Sequence, residues 1–209
     1  MTMVSNGTPS LRERKAAATR KRLMESSLAL FASQGFERPT IDQIAAAAET
    51  GKGTFYNYFS SKEEVLVAFM VEQEAKVKAR VPQFAEAPGP LEEILKGFLR
   101  AQFRLKRPHH AFTRVFMAEL ILHSERLAGH IVRMQESADP PLLALFTRLQ
   151  ERGLIAQERE VHELVAGFKR MHFGLSCLWA LEGPPFTESM RALEEQVGWF
   201  VCAIDRRRR

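Results

Sequence analysis

The sequence is poor in cysteine and lacks the short motifs of the common catalytic sites. Its two cysteines, Cys177 and Cys202, are too few for a disulfide framework and have no metal-ligand spacing, so free, buried thiols are expected. There is no Gly-rich phosphate loop, no nucleophile elbow and no carboxylate pair set among other catalytic groups. We therefore predict no catalytic residues, no cofactor and no enzyme activity.

Long apolar runs and strand-like alternation are also missing. No run approaches the length of a membrane span, and residues 1–10 lack the apolar core of a signal peptide. No segment alternates polar and apolar residues with the period of a strand, whereas helical periodicity recurs along the chain. The sequence predicts an all-α, cytoplasmic protein with no membrane association.

Basic residues are concentrated at the front of the chain. Residues 1–60 hold eight Lys or Arg against five acidic residues, and residues 61–209 hold 22 against 20. Such a distribution fits a DNA-binding segment joined to a near-neutral body. Residues 1–19 are predicted to be a disordered basic arm, whose cations either follow DNA phosphates or only aid solubility.

The stretch from Thr40 to Lys62 has the pattern of a helix, a tight turn and a second, short helix. Thr40 and Gln43 have capping-box spacing, which predicts a helix start at Thr40. Gly51 and Gly53 then break this helix. Serines and glutamates at 60–64 repeat the capping pattern and predict the start of the next helix.

The short helix after the turn has two unlike faces. Phe55 and Phe59 are four residues apart and share an apolar face, while Lys52 and Tyr56 share a polar one. A polar helix face beside a tight turn suits the major groove of DNA, where hydroxyls and amides contact base edges. An ordinary surface helix has the same periodicity, and periodicity alone does not separate the two.

The same residues resemble the TetR family of bacterial transcriptional regulators. The run Lys52-Gly53-Thr54-Phe55-Tyr56-Asn57-Tyr58-Phe59, followed by Ser61-Lys62-Glu63, is similar to that family's recognition helix and the start of its fourth helix. The resemblance implies a three-helix helix-turn-helix DNA-binding domain at residues 20–65 and a helical ligand-binding and dimerisation domain at 66–209. It also implies that double-stranded operator DNA is contacted by Thr40, Lys52, Gly53, Thr54, Tyr56, Asn57, Tyr58 and Lys62.

The turn departs from the family pattern. Where the family usually has Gly-Val-Ser, this chain has Glu49-Thr50-Gly51. We expect Glu49 to adopt a left-handed conformation at a backbone cost that glycine avoids, and the missing serine to remove a DNA contact.

Beyond residue 66 the chain is predicted to be helical throughout, with its clearest break at Pro82–Pro90. A fourth helix over 61–81 leads into this break. The helices expected after it are 91–107, 111–124 with further turns up to 134, 140–152, 161–182 and 187–204.

The last two predicted helices carry long apolar stripes. Such a hairpin either completes the core of one chain or pairs with its own copy. The family resemblance implies a homodimer, for which we predict an interface formed by Leu164, Leu175, Leu193, Val197 and Phe200.

Bulky aromatic and methionine side chains in this domain either fill a solid core or line an apolar cavity. Composition favours the solid core, whereas the resemblance implies an inducer pocket for a small, largely apolar effector. We predict a pocket lined by Phe103, Phe112, Phe116, Leu120, His123, Phe146, Phe168, Met171 and His172.

The alternative function is an all-helical enzyme or a metal-binding protein with an incidental helix-turn-helix. Glu119 and His123 stand four residues apart on a predicted helix, with His130 seven residues further on. This spacing is common by chance and has no CxxC, HExxH or DxD companion. No metal site is therefore predicted.

Overall fold

The computed structural model describes residues 10–204, apart from the side chains at 124, 126, 128 and 130–138. Every regular element in these residues is a helix and none is a strand. The predicted all-α fold class is confirmed. Contacts divide the chain into two compact units, Met1–Phe69 (unit 1) and Met70–Arg209 (unit 2). None of the described helices is both long enough and apolar enough to span a bilayer.

Unit 1 is built from three helices and the first half of a fourth. These are α1 (Leu11–Gln34), α2 (Ile41–Ala47), α3 (Lys52–Tyr56) and the beginning of α4 (Lys62–Lys78). The sequence predicted α2 correctly, since the Thr40 side chain caps it and Gln43 completes the capping box. Helix α1 packs on α2, and α2 on α3.

The structure differs from the predicted disordered arm, because α1 already begins at Leu11. Ser10 caps it: the Glu13 backbone N–H donates to Ser10 Oγ at 3.2 Å, and the Ser10 N–H donates to Glu13 Oε2 at 2.7 Å. This capping box is visible in the sequence, and three alanines at 16–18 continue the helix with the best helix-forming residue. Residues 1–9 lie outside the described part of the chain.

Unit 2 contains the second half of α4 and six further helices among the described residues. They are α5 (Val81–Ala85), α6 (Leu91–Lys106), α7 (His110–Leu122), α8 (Ser124–Glu151), α9 (Val161–Glu182) and α10 (Thr187–Ile204), with a 3-10 turn at Arg107–His109. The predicted bounds of α9 and α10 are confirmed. Helix α9 packs against α7, α8 and α10, and α10 also packs against α6.

Two predicted breaks are wrong. Helix α5 occupies part of Pro82–Pro90, and α8 runs without interruption through Pro140 and Pro141. A proline inside a helix removes a hydrogen bond and costs about 3 kcal/mol or more. Just beyond the prolines, α8 buries Leu145, Phe146 and Leu149 completely in the core of unit 2, and this packing outweighs the local preference.

The core of unit 2 also takes up residues that we predicted for a dimer interface. Leu164, Leu175, Leu193 and Val197 are buried inside the unit, and half-buried Phe200 lies with its ring 5.9 Å from that of Phe168. That prediction is corrected: the apolar stripes of α9 and α10 face each other and the neighbouring helices. The hairpin thus completes the core of one chain, which was the alternative to pairing with its own copy.

The cysteine prediction is confirmed only in part. Cys177 and Cys202 are both free thiols, but Cys177 is half-buried and Cys202 is exposed rather than buried.

Candidate functional site

The turn between α2 and α3 has the geometry of a left-handed helix cap. The Thr50 N–H donates to the Ala45 carbonyl at 2.9 Å, and the Glu49 N–H donates to the Ala46 carbonyl at 3.0 Å. This pair of hydrogen bonds is typical of a helix end at which the residue just past the helix is left-handed. That residue is Glu49, with φ of +54°. The expectation of a left-handed Glu49 is therefore confirmed.

The short helix α3 is held from behind by aromatic side chains. Phe55 and Phe59 are buried, with ring centroids 5.8 Å apart. The guanidinium of Arg20, on α1, lies 5.0 Å from the Phe59 ring centroid. A five-residue helix is too short to be stable alone, so this packing holds it in place.

The opposite face of α3 is polar and accessible. Lys52, Gly53, Tyr56 and Asn57 are exposed, and Thr54 and Tyr58 are half-buried beside them, as listed in the sequence prediction. The Lys52 ammonium lies 2.9 Å from a carboxylate oxygen of Asp42, and this hydrogen bond raises the pKa of Lys52. The pair fixes the lysine over the turn, where it remains more than half exposed.

Thr40 and Lys62 both have partners within unit 1. The exposed Thr40 uses its hydroxyl oxygen in the α2 capping box. Lys62, at the start of α4, donates to the carbonyls of Phe36 at 2.9 Å and Glu37 at 3.0 Å, and its ammonium lies 4.9 Å from the Phe36 ring centroid. An ammonium has three N–H donors, so one is left for another acceptor.

At the start of α4, both serines of the predicted capping pairs bond to Glu64. The Glu64 N–H donates to Ser61 Oγ at 3.3 Å, while Glu64 Oε2 accepts from the Ser60 N–H at 2.6 Å. Both serines thus share Glu64, and this fixes the chain where it leaves α3.

Unit 2 contains a cavity of about 850 Å³ between the second half of α4 and helices α6, α7, α8 and α9. Its walls are mostly apolar and its volume is typical of a site for a drug-sized ligand. Apolar lining comes from Met70, Val77, Phe98, Leu105, Phe116, Met117, Leu120, Pro141, Leu142, Ala166, Phe168 and Phe173.

Three buried polar atoms in the cavity lining have no hydrogen-bond partner among the described residues. They are Glu74 Oε2 on α4, and His172 Nε2 and Ser176 Oγ on α9. Leaving such an atom unpaired costs roughly 1–3 kcal/mol, so protein interiors seldom contain them without a reason. His172 and Ser176 are four residues apart and therefore share one face of α9.

Charges in the lining are mostly paired. The Lys78 ammonium lies 3.4 Å from a Glu74 carboxylate oxygen, and Lys169 is paired with Asp139. Burial raises the pKa of Glu74 although Lys78 opposes this shift. Burial and then the charge of Lys106 hold the pKa of His172 well below its ordinary value, so its imidazole is neutral at pH 7.

Lys106 has no such pairing. No carboxylate of the described residues lies within ion-pair distance of its ammonium, which instead lies 5.6 Å from the Phe103 ring centroid. Burial lowers the pKa of Lys106 to about 8. Its place in the last turn of α6 favours the cation, because the C-terminal end of a helix is partially negative.

Comparison with known proteins identifies unit 1. Residues 23–69 match the family described as bacterial regulatory proteins, tetR family, and this span covers the turn, α3 and the start of α4. Residues 23–69 of this chain thus resemble the tetR family.

Relatives agree with this assignment. The chain is 30% identical to the HTH-type transcriptional regulator TcmR of Streptomyces glaucescens over 60% of its own length and 62% of that protein, less than two thirds of TcmR. It is 26% identical to the HTH-type transcriptional repressor KstR2 of Mycobacterium tuberculosis over 88% of its own length and 90% of the relative.

The fold is shared with solved structures. Thermus thermophilus FadR, a TetR-family repressor solved with lauroyl-CoA, superposes with a TM-score of 0.67 at 22% identity, over 87% of this chain and 93% of FadR.

The cavity of unit 2 contains only some of the predicted ligand residues. Phe116, Leu120, Phe168 and His172 line it, as predicted. Other members of that prediction lie elsewhere: Phe103 and Phe146 belong to the core, Met171 packs against it, Phe112 is buried outside the lining, and His123 caps the end of α7. The side chain of His130, considered as a metal ligand, lies outside the described residues.

Lys106, Ser176 and Glu74 were missed by the sequence analysis. A usable pattern was present, because Phe98, Gln102 and Lys106 recur every four residues and therefore share one face of α6. A lysine on a helix face that packs inward is unusual. It was overlooked because basic residues in a last helical turn have an ordinary explanation in the helix dipole.

Proposed function

We propose that this protein is a transcriptional repressor that binds a palindromic operator as a homodimer and releases it when a small, largely apolar effector occupies unit 2. The observation that carries the proposal is the polar face of α3, which is exposed on an aromatic base within a region that matches the tetR family. The relatives TcmR and KstR2 are a transcriptional regulator and a repressor, which supports the same function here.

DNA contact is assigned to the exposed side of the turn and α3. Thr54, Tyr56 and Tyr58 present hydroxyl groups, and Asn57 an amide, that are suited to base edges and phosphates in the major groove. Lys52 is placed to exchange its Asp42 partner for a phosphate, since an exposed ion pair is weak. Lys62 uses two of its N–H groups within unit 1 and retains one. Its contact with a DNA phosphate therefore stays a prediction.

A homodimer is proposed because a palindromic site needs two-fold symmetry in the protein. With the predicted interface residues buried in the protomer, we assign the interface to the outer faces of α9 and α10. Leu181 is 77% exposed and Trp199 is 70% exposed, unusually high for such large apolar side chains. Gly174 and Leu178 share the α9 face with Leu181, and Cys202 follows Trp199 one turn later.

Effector binding is assigned to the cavity of unit 2. Its volume and apolar lining suit a small organic molecule. Thermus thermophilus FadR was solved with lauroyl-CoA, which supports the view that this fold accommodates a long apolar chain.

Switching is proposed to pass along α4. This continuous helix starts at Lys62, beside the turn after α1, and its second half supplies Met70, Val77 and Lys78 to the cavity lining. Half-sites on B-DNA recur every ~34 Å, so a small displacement of the two recognition helices prevents simultaneous docking. A hundredfold loss of operator affinity requires about 2.7 kcal/mol of coupling, an ordinary allosteric value.

The DNA assignment is tested with the duplex upstream of the protein's own gene and with a scrambled duplex of equal length. We expect tight binding to the first only. Thr54→Ala should change the preferred sequence, and Lys62→Ala should weaken binding to both duplexes and lower the salt slope by about one unit. Equal affinity for both duplexes, or sequence preference that survives loss of the whole α3 polar face, would contradict the proposal.

A further inference from the structure

The lining of the cavity in unit 2 is mostly apolar but includes a few polar and charged side chains. These side chains limit the chemical class of ligand that the cavity can bind. Most of the wall is apolar, yet Lys106, His172 and Ser176 also line it, the charge of Lys106 acts on the imidazole of His172, and Ser176 lies one helical turn from His172 on α9. The Lys106 ammonium and the His172 ring both lie against Phe103, with an Nζ-to-centroid distance of 5.6 Å and a ring-to-ring distance of 6.1 Å.

We propose that the effector is an apolar molecule with a single carboxylate, and that Lys106 binds this carboxylate while His172 and Ser176 donate hydrogen bonds to its oxygens. The inference rests on the proposed function, because it specifies the ligand of the same cavity. A carboxylate accepts up to four hydrogen bonds, enough for one donor from each of the three side chains.

The three side chains supply donors of the right kind. A neutral imidazole carries one N–H, and the proposal places it on Nε2, which is buried without a partner among the described residues. The Ser176 hydroxyl is likewise buried and unpartnered, one helical turn further along α9. Lys106 contributes the charge that makes such bonds stronger than neutral ones.

Other ligand classes fit less well. A cationic ligand would meet four cations in the described lining, Lys78, Lys106, Lys169 and Arg170, against the one acid Glu74, whose Oε1 already lies beside Lys78. A neutral ligand would leave the ammonium without an anionic partner in a largely apolar wall. A phosphate dianion needs a second unpaired cation, and Lys169 is paired with Asp139 while Arg170 is exposed.

Binding of a carboxylate should also change the protonation of Lys106, and proton uptake therefore measures it. Burial has lowered the pKa of Lys106 to about 8, and a carboxylate beside it would raise that pKa again. The other charged groups in the described lining are Glu74 and Lys78 on α4 and Lys169 and Arg170 on α9, with neutral His172 beside Lys106; α7 contributes none. Binding at pH 8 should therefore take up roughly half a proton.

The test compares dodecanoate, 1-dodecanol and dodecanoyl-CoA on the full chain by calorimetry in two buffers of different ionisation enthalpy. Dodecanoate should bind at least about tenfold tighter than the alcohol of equal length and take up protons at pH 8. Lys106→Met should remove both the preference and the proton uptake but leave the affinity for dodecanol unchanged within about twofold. Arg104→Met removes a cation from an exposed site on the same helix, and should change neither quantity.

The possible failures are distinguishable. Equal affinity for dodecanoate and dodecanol, or the same preference in Lys106→Met, would overturn the carboxylate while leaving the effector cavity intact if both compounds release DNA. Binding of dodecanoyl-CoA without binding of dodecanoate would overturn it as well, since the thioester has no carboxylate on its chain. If none of the three binds to protein that still binds its operator, the effector cavity itself is wrong.

Discussion

Glu49 adopts a left-handed conformation in the turn between α2 and α3, where a residue with a side chain is strained. Lys106 is a cation without a described carboxylate partner in an apolar cavity. The strained backbone at Glu49 lowers stability where the proposed DNA contact needs a tight turn. The unpaired charge of Lys106 lowers it where the proposed ligand needs a cation. Strain and unpaired charge of this kind tend to occur at functional sites.

Replacing Glu49 with glycine should stabilise unit 1. Glycine avoids a left-handed penalty of about 1–2 kcal/mol but loses roughly 0.5–1 kcal/mol of chain entropy, for a net gain of about 0.5–1 kcal/mol. Slower hydrogen exchange of the α2 and α3 amides would report the gain. The control Glu49→Ala keeps the positive φ with a side chain, and an equal gain in that variant would show that backbone strain is not the cause.

Lys106→Met should make the protein more stable at pH 7. The folded-state pKa of about 8 lies below the ordinary 10.5, so the unfolded chain binds more protons between these values and stability rises with pH through this window. Removing the charge should therefore add of order 1–3 kcal/mol at pH 7, and the advantage should shrink from pH 8 to 10.5. Urea unfolding at several pH values measures it, and a constant difference would exclude titration of Lys106 as the cause.

At the scale of elements, α3 depends on the aromatic residues beneath it. The helix is five residues long, and its position comes from the buried rings of Phe55 and Phe59, with Arg20 of α1 against Phe59, rather than from its own hydrogen bonds. Helix α8 shows the same dependence, since packing keeps it continuous through two prolines.

Phe59→Ala should therefore unfold unit 1 rather than merely weaken DNA contact. Emptying a buried phenylalanine site costs roughly 3–5 kcal/mol, a large part of the stability of so small a unit. Circular dichroism and hydrogen exchange should show loss of helix in residues 10–69. Tyr56→Ala, at an exposed site on the same helix, is the matched control and should lose DNA affinity while keeping its helices.

At the scale of the whole molecule, the proposed assembly and switching depend on surfaces that a single chain leaves open. Buried Val197 and exposed Trp199 are two residues apart on α10, so one faces the core of its own unit and the other faces outward. Substitutions at these two residues can therefore distinguish an effect on folding from an effect on dimerisation.

Trp199→Glu should yield folded monomers, because it places charges across the proposed two-fold seam. Val197→Glu should unfold unit 2 instead, since it buries a carboxylate in the core. Ile121→Glu makes the same change at an exposed apolar residue of α7 and should remain dimeric. Sedimentation with circular dichroism distinguishes these cases, and a dimeric Trp199→Glu would move the interface away from α10.

Effector and operator should weaken each other by the same factor. If dodecanoate lowers operator affinity a hundredfold, saturating operator must lower dodecanoate affinity a hundredfold as well, because the coupling of two binding equilibria is reciprocal. Ala166→Trp, which fills the cavity from α9, should abolish the response and keep DNA binding. Equal dodecanoate affinity with and without operator would exclude switching by this route.

The sequence alone determined the elements that local chemistry specifies. Capping residues and glycines defined α2 and the ends of α9 and α10, because these depend on residues a few positions apart. The motif Lys52–Glu63 carried the resemblance to the tetR family for the same reason, and it lies within the residues that match that family. The left-handed Glu49 was expected from the family resemblance, since the family usually has glycine at that position of the turn.

Only the tertiary structure decided which apolar residues face inward. The stripes of α9 and α10 fit equally a core or a partner, and helical periodicity fixes a face but not what covers it. Packing placed Leu193 and Val197 in the core, left Trp199 outside and opened a cavity beside Lys106. Burial is a property of residues distant in the chain, and no local pattern encodes it.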